Sequence, residues 1–106
     1  MYDYRSDPFV AETAKAVRAL YGEKLKGLML YGSRARGDAT PDSDYDFLVL
    51  LDDPIDWIAE RRRLSSLSLD LELRTGEDAF FMPETPEALQ RRTLFMGNVR
   101  KDAVRL

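Results

Sequence analysis

The stretch from Asp44 to Leu51 constrains the fold more than any other part of the chain. Its inner part, Phe47-Leu48-Val49-Leu50-Leu51, is apolar without a break. A strand with one wet face alternates apolar and polar residues, whereas an unbroken run belongs to a strand covered on both faces. Such a strand needs layers above and below it. The 106 residues are one domain's worth, which predicts a radius of gyration of roughly 13 Å. With 44% hydrophobic and 33% charged residues, the chain has enough apolar material for a core.

The segments around this strand read as the covering layers and its partners. Asp7-Pro8 is an N-cap followed by proline at the first helical position. Val10, Ala14, Val17 and Tyr21 then recur at helical spacing with Leu20 beside them, which predicts a helix over 8–21 stopped by Gly22. Leu28 to Tyr31 reads as a strand that ends at Gly32, and 32–43 as a turn, a short helical segment and a loop. Asp53-Pro54 repeats the cap-plus-proline signal and predicts a helix from Pro54 to Leu67 with an untidy apolar face. Leu69-Asp70-Leu71-Glu72-Leu73 alternates strictly, which predicts a third strand ended by Thr75-Gly76. Thr85-Pro86 opens a last helix with Leu89, Phe95 and Met96 as core candidates, and Ala103 to Leu106 reads as a final short strand. Strands alternating with helices give a single small α/β domain over 1–106, a mixed sheet of about four strands packed with helices.

The chain has no cysteine and no histidine. Disulfides, thiol nucleophiles, Cys/His zinc sites and Ser-His-Asp catalysis are therefore excluded within it. Hard cations with oxygen ligands, chiefly Mg²⁺, Mn²⁺ and Ca²⁺, remain within reach. A net charge of −3 is too mild to argue for bulk nucleic-acid or membrane binding. Its distribution says more: Asp38 to Asp53 holds six aspartates and no basic residue, and Ala88 to Leu106 holds five basic residues and one acid. An acidic centre suits a cation; the basic tail suits an anion, a partner or simply a solvated helix face. No apolar run approaches the ~18 residues of a membrane helix, and the first ten residues do not read as a secretory signal. A cytoplasmic protein is the default expectation.

The chemistry is concentrated in Tyr31-Gly32-Ser33-Arg34-Ala35-Arg36-Gly37-Asp38, followed by Asp42-Ser43-Asp44-Tyr45-Asp46. Gly32 leaves a strand and lets the backbone bend sharply and a ligand approach. Ser33 offers an N–H and a hydroxyl at the start of a helical turn, where free N–H groups make an anion site. Arg34 and Arg36 carry charge suited to phosphate oxygens. Asp44 and Asp46 leave the same face of a strand with Cα atoms ~6.6 Å apart, close enough to converge on one hard cation. The bland alternative, solvated or arginine-paired edge aspartates, is costly on so apolar a strand. Asp70 and Glu72 share a face of the strand read over 69–73. If that strand lies beside Asp44–Leu51, one of them, Asp70 foremost, reaches the same site. A third carboxylate there would complete a two-ion site or act as general base. An anion cradle beside carboxylate-held cations suits a nucleoside triphosphate. There is no Gly-Lys-Ser/Thr, so this is not a P-loop.

Gly32-Ser33, the ten-residue gap and Asp44-x-Asp46 resemble the signature of the polymerase-beta-like nucleotidyltransferase superfamily. The longer string GSRARGDATPDSDYDFLVL is similar to its minimal branch, the small MNT proteins. The likeness is tight over 28–51 and extends loosely through Leu69-Asp70-Leu71, which resembles the family's third-carboxylate strand. Carried over, it implies that Gly32 and Ser33 bind triphosphate with Arg34 and Arg36, and that Asp44, Asp46 and Asp70 hold Mg²⁺. Glu72 stands where an apolar residue is usual, so which of Asp70 and Glu72 is the third ligand stays open. The family transfers a nucleoside monophosphate, often AMP from ATP, to a hydroxyl. Minimal members are commonly antitoxins that adenylylate a HEPN-domain toxin. Larger transferases carry a second domain for the acceptor, so a protein partner or a second copy is expected to supply it here, with Tyr2, Tyr4, Arg91, Arg92, Arg100 and Arg105 as candidate interface residues. No membrane and no direct nucleic-acid partner is expected. Two other readings accompany this one: a non-catalytic antitoxin that acts by binding, and a small-molecule, aminoglycoside-like transferase that needs a second subunit.

Overall fold

In the computed structural model, which describes residues 1–106, the unbroken apolar run forms β2 (Tyr45–Leu51) inside a four-stranded sheet. β1 (Leu25–Tyr31) pairs antiparallel on one side, and β3 (Ala79–Glu84) pairs parallel on the other. β4 (Val104–Arg105) adds antiparallel to the outer side of β1, giving the order β3-β2-β1-β4. The sheet is mixed and four-stranded, as the sequence predicts.

Both faces of β2 are covered. Tyr45, Phe47, Val49 and Leu51 join Leu28 and Leu30 under α1 (Pro8–Tyr21) and α3 (Trp57–Thr75), with Phe47 stacked on Phe81 at 5.5 Å. Leu48 and Leu50 face the other way, against Ala88 of the 3-10 turn Pro86–Gln90 and Met96 and Val99 of α4 (Leu94–Asp102). Phe47, Leu48 and Val49 are fully buried. The radius of gyration is 13.3 Å, and no helix is long and apolar enough to cross a membrane.

α1 forms where its cap and proline place it: the Asp7 carboxylate accepts the Phe9 N–H at 2.9 Å, and Phe9, Val10, Ala14, Val17 and Tyr21 make its buried stripe. Leu20 lies outside the stripe and is exposed. The single turn α2 (Ser33–Arg36) joins β1 to the loop before β2.

The third strand is not where the alternation predicts it. Residues 69–73 belong to α3, which starts at Asp56, whose carboxylate accepts the Ala59 N–H at 3.1 Å, and ends at Gly76 in the left-handed conformation. The burial shows why. Leu64 and Leu71 are buried and Leu67 is half-buried, a helical stripe, while Leu69 and Leu73 are exposed. The alternating leucines coincide with a strand pattern, but only one of the three packs. The strand beside β2 comes instead from Ala79–Glu84. Likewise the last helix begins at Thr93, whose hydroxyl accepts the Met96 N–H at 3.1 Å, and the Thr85-Pro86 signal opens only the 3-10 turn.

Candidate active site

The site is built where β1 ends and β2 begins. Gly32 leaves β1 with φ 78° and ψ −157°, backbone that only glycine adopts without strain. Its carbonyl accepts the N–H groups of Ala35 and Arg36 at 3.1 Å each, which winds α2, and Gly37 at φ 90° closes the turn. The N–H groups of Ser33 and Arg34 head the turn, with no carbonyl one turn earlier to take them.

Asp46 lies in register with Tyr31 of β1 and with Phe80 of β3. Its carboxylate is pressed against the glycine: a Cβ on Gly32 would stand 2.9 Å from Asp46 Oδ2. The glycine turn and the half-buried carboxylate therefore share one spot. Asp44 is exposed, just before β2, and near enough for its charge to act on Asp46. Neither carboxylate takes part in an ion pair within the chain. Burial raises the Asp46 carboxyl above the usual aspartate range, and the charge of Asp44 raises it further. Tyr31 is raised in turn by burial and by the charge of Asp46, and Phe95 of α4 meets its ring edge-on at 5.5 Å.

These residues fit a single hard cation. The donors are all oxygen, two carboxylates stand together without a counter-charge, and the space over Gly32 is one that a side chain would fill. The two-ion reading does not fit. No group of three metal-ligating side chains exists in the chain. Asp70 sits on α3, exposed, with its carboxylate taking Arg74 Nε at 3.0 Å, and Glu72 is exposed on the same helix. Neither lies on a strand beside β2, so neither is the third ligand that the predicted strand required.

Arg34 is also placed differently from its expected role. It is 5% exposed and turned inward, donating from Nη2 to the Ser43 carbonyl at 2.9 Å and to the Pro41 carbonyl at 3.4 Å. Its guanidinium lies 3.8 Å from the Tyr45 ring centroid and 4.9 Å from that of Tyr2, with Asp7 at 4.0 Å. A side chain so enclosed fixes the loop that carries Asp44 and does not reach a phosphate. Arg36 remains at the surface, between Asp38 at 3.2 Å and Asp102 at 3.5 Å. Tyr2 joins Tyr45 in donating to Asp7 Oδ2, both at 2.7 Å, and so belongs to this buttress. In the basic tail, Arg91 pairs with Glu84 at 3.1 Å and Arg100 donates to the Arg91 carbonyl at 2.8 Å. The sequence reading missed Phe80 and the Asp7–Tyr45–Arg34 buttress; the Pro8 cap signal identified Asp7, but only as a helix cap.

Residues 10–96 match the family described as nucleotidyltransferase domain. A putative protein adenylyltransferase of Methanocaldococcus jannaschii is 35% identical over 51 residues, 48% of this chain and 51% of that one. The chain thus spans about half the length of that curated relative. Among solved structures, a chain of a toxin-antitoxin with AMP-PNP superposes with TM-score 0.60 at 21% identity, covering 89% of this chain and 69% of that one. A mutant of the toxin-antitoxin MntA-HpeT gives 0.61 at 23% identity, with coverages of 91% and 70%. At these identities the structures speak for the fold alone.

Proposed function

The chain belongs to the nucleotidyltransferase domain family, and from that premise we propose that it moves AMP from ATP to a hydroxyl of a protein partner in a Mg²⁺-dependent reaction. The observation that carries the proposal is the apposition of Asp46 Oδ2 and the Gly32 turn, which sets carboxylates for a cation beside free N–H groups for a phosphate. The relative named as a putative protein adenylyltransferase and the toxin-antitoxin folds support a protein acceptor. A HEPN-type toxin as that partner rests on the resemblance of the loop and β2 sequence to the minimal branch of the family.

In this reading the acceptor hydroxyl gives up its proton to solvent, its oxygen bonds to the α-phosphorus of ATP, the bond from that phosphorus to the α,β-bridging oxygen breaks, and pyrophosphate leaves. Asp44 and Asp46 would hold the cation, whose charge would offset that developing on the phosphate. The N–H groups of Ser33 and Arg34 orient the triphosphate at the head of α2. Gly32 keeps the backbone low enough for the phosphates and Asp46 to meet. Arg36 is the one arginine of the loop exposed enough to reach an anion. The chain is proposed to act with its partner as a hetero-oligomer in the cytoplasm.

The test is transfer of label from ATP marked on the α-phosphate to the product of the neighbouring gene. The expected result is labelled partner with wild type and none with Asp44→Asn combined with Asp46→Asn. Undiminished labelling by the double variant refutes the assignment. One observation favours a second reading, neutralisation by binding alone: the site holds two carboxylates and no third. Full protection of cells by the double variant would establish that reading instead.

A further inference from the structure

We infer that the site holds one divalent cation rather than a pair, and that Phe80 is the residue that decides this. The inference rests on the proposed cation role of Asp44 and Asp46. In parallel strands, residues in register project from the same face of the sheet. Asp46 is in register with Phe80, so the place on the neighbouring strand from which a third carboxylate would reach the cation is taken by an aromatic ring. That ring is half-exposed, at 51%, although Phe81 beside it is buried. Phe80 lies at the surface, in register with a half-buried carboxylate, and is not part of the core.

No other carboxylate of the chain stands in for it. Asp78, just before β3 and opposite Asp44 by the same register, is engaged by α3, accepting the Ser68 hydroxyl at 2.7 Å. Glu84 is in register with Leu50, four residues along from Asp46, and takes Arg91 at 3.1 Å. Asp102 and Asp38 are both engaged by Arg36. On the other flank of Asp46 the register residue is Tyr31, a neutral phenol. Two ions ~3.5–4 Å apart need carboxylates that bridge or flank both. Asp44 and Asp46 with substrate phosphates meet the needs of one ion, which commonly uses one or two carboxylates plus phosphates.

The experiment is Mn²⁺ titration of the full chain with AMP-PNP, followed by electron paramagnetic resonance. Neighbouring Mn²⁺ ions give an exchange-coupled spectrum, and a lone ion does not. Wild type is expected to bind one Mn²⁺ per chain with an isolated-ion spectrum. Phe80→Asp, on a half-exposed position, is expected to bind a second ion and to show coupling; Phe80→Asn, of similar shape to that variant and uncharged, is expected to behave as wild type. Two coupled ions on wild type overturn the inference and leave the cation role of Asp44 and Asp46 standing. Mn²⁺ binding that survives Asp44→Asn with Asp46→Asn overturns that underlying role instead. The wild-type count decides the matter even if Phe80→Asp does not fold.

Discussion

Replacing Gly32 by alanine tests the geometry on which the site depends. Two separate penalties are expected. At φ 78° and ψ −157° a residue with a Cβ is strained by about 1–3 kcal/mol. The new methyl would also stand 2.9 Å from Asp46 Oδ2, well inside ordinary contact, so the carboxylate must retreat by roughly half an ångström. Misplacement of ~1 Å at a reacting centre costs on the order of 10²-fold, so a shift of half that is expected to cost about tenfold in Mn²⁺-dependent nucleotide binding or transfer. For a domain of this size ~1 kcal/mol corresponds to roughly 4–8 °C in Tm, and a fall of about 8–16 °C is expected for ~2 kcal/mol. Gly76→Ala is the control. Gly76 has φ 81° and nothing within 4 Å of where the alanine methyl would stand, so its variant carries backbone strain without the collision. That strain is about 1–2 kcal/mol. Thermal unfolding by circular dichroism and Mn²⁺–AMP-PNP titration separate the two effects. If Gly32→Ala lowers Tm as Gly76→Ala does but leaves nucleotide and Mn²⁺ affinity unchanged, the apposition of Gly32 and Asp46 is not the binding geometry.

Three further outcomes follow from the same contacts. Arg34→Gln, which removes the positive charge beside Asp7 and frees the Pro41 and Ser43 carbonyls, is expected to cost about 3 kcal/mol in chemical denaturation, whereas Arg36→Gln is expected to leave the denaturation midpoint unchanged. Burial alone would raise the Asp7 carboxyl, but the hydroxyls of Tyr45 and Tyr2, the Phe9 N–H and the charge of Arg34 bring it below the usual range. Its stabilisation is therefore present above the unfolded aspartate value of about 3.9 and lost as pH falls through the lower folded value. Asp7→Asn should be less stable than wild type at pH 7 by about 1–3 kcal/mol, with the difference closing in acid unfolding curves. Leu71→Ala is expected to cost about 2–5 kcal/mol and Leu69→Ala or Leu73→Ala about 0.5 kcal/mol or less; equal costs at all three positions would contradict the helical assignment of 69–73.

What can be read in advance follows from how local each signal is. β2 is legible because five apolar residues in a row leave no wet face to choose. The turn is legible because Gly32 and Gly37, which bracket α2, both adopt positive φ. The third strand is not, because Leu69, Leu71 and Leu73 satisfy a two-residue period while Leu64 and Leu71 satisfy a helical one, and tertiary packing chooses the latter. The true strand, Ala79–Glu84, carries Pro83, which cannot donate to a ladder and is tolerated here because β3 is an edge. Misplacing that strand carries the third carboxylate with it, since Asp70 reaches the site only if its own strand lies beside β2. Arg34 shows a different limit. A basic residue in a glycine-rich loop suggests phosphate, but whether its guanidinium faces out or in depends on Tyr2, Asp7 and Tyr45, remote from it in sequence or on another element.

The contrast between Asp7 and Asp46 bears most directly on function. Both carboxylates are sheltered from water, and a sheltered charge needs compensation. Asp7 has it in full: two tyrosine hydroxyls, a backbone N–H and an arginine. Asp46 has none of these, and Asp44 adds like charge beside it. A positive charge is within reach of the same loop, since Arg34 hydrogen-bonds to the Ser43 carbonyl next to Asp44. Its guanidinium is nevertheless held between aromatic rings on the Asp7 side. The fold thus commits its nearest buried positive charge to the buttress and leaves the Asp44–Asp46 pair uncompensated. That arrangement is relieved by protonation of Asp46 or by a cation from outside the chain, which is the condition under which binding a divalent cation with a nucleotide would stabilise the fold.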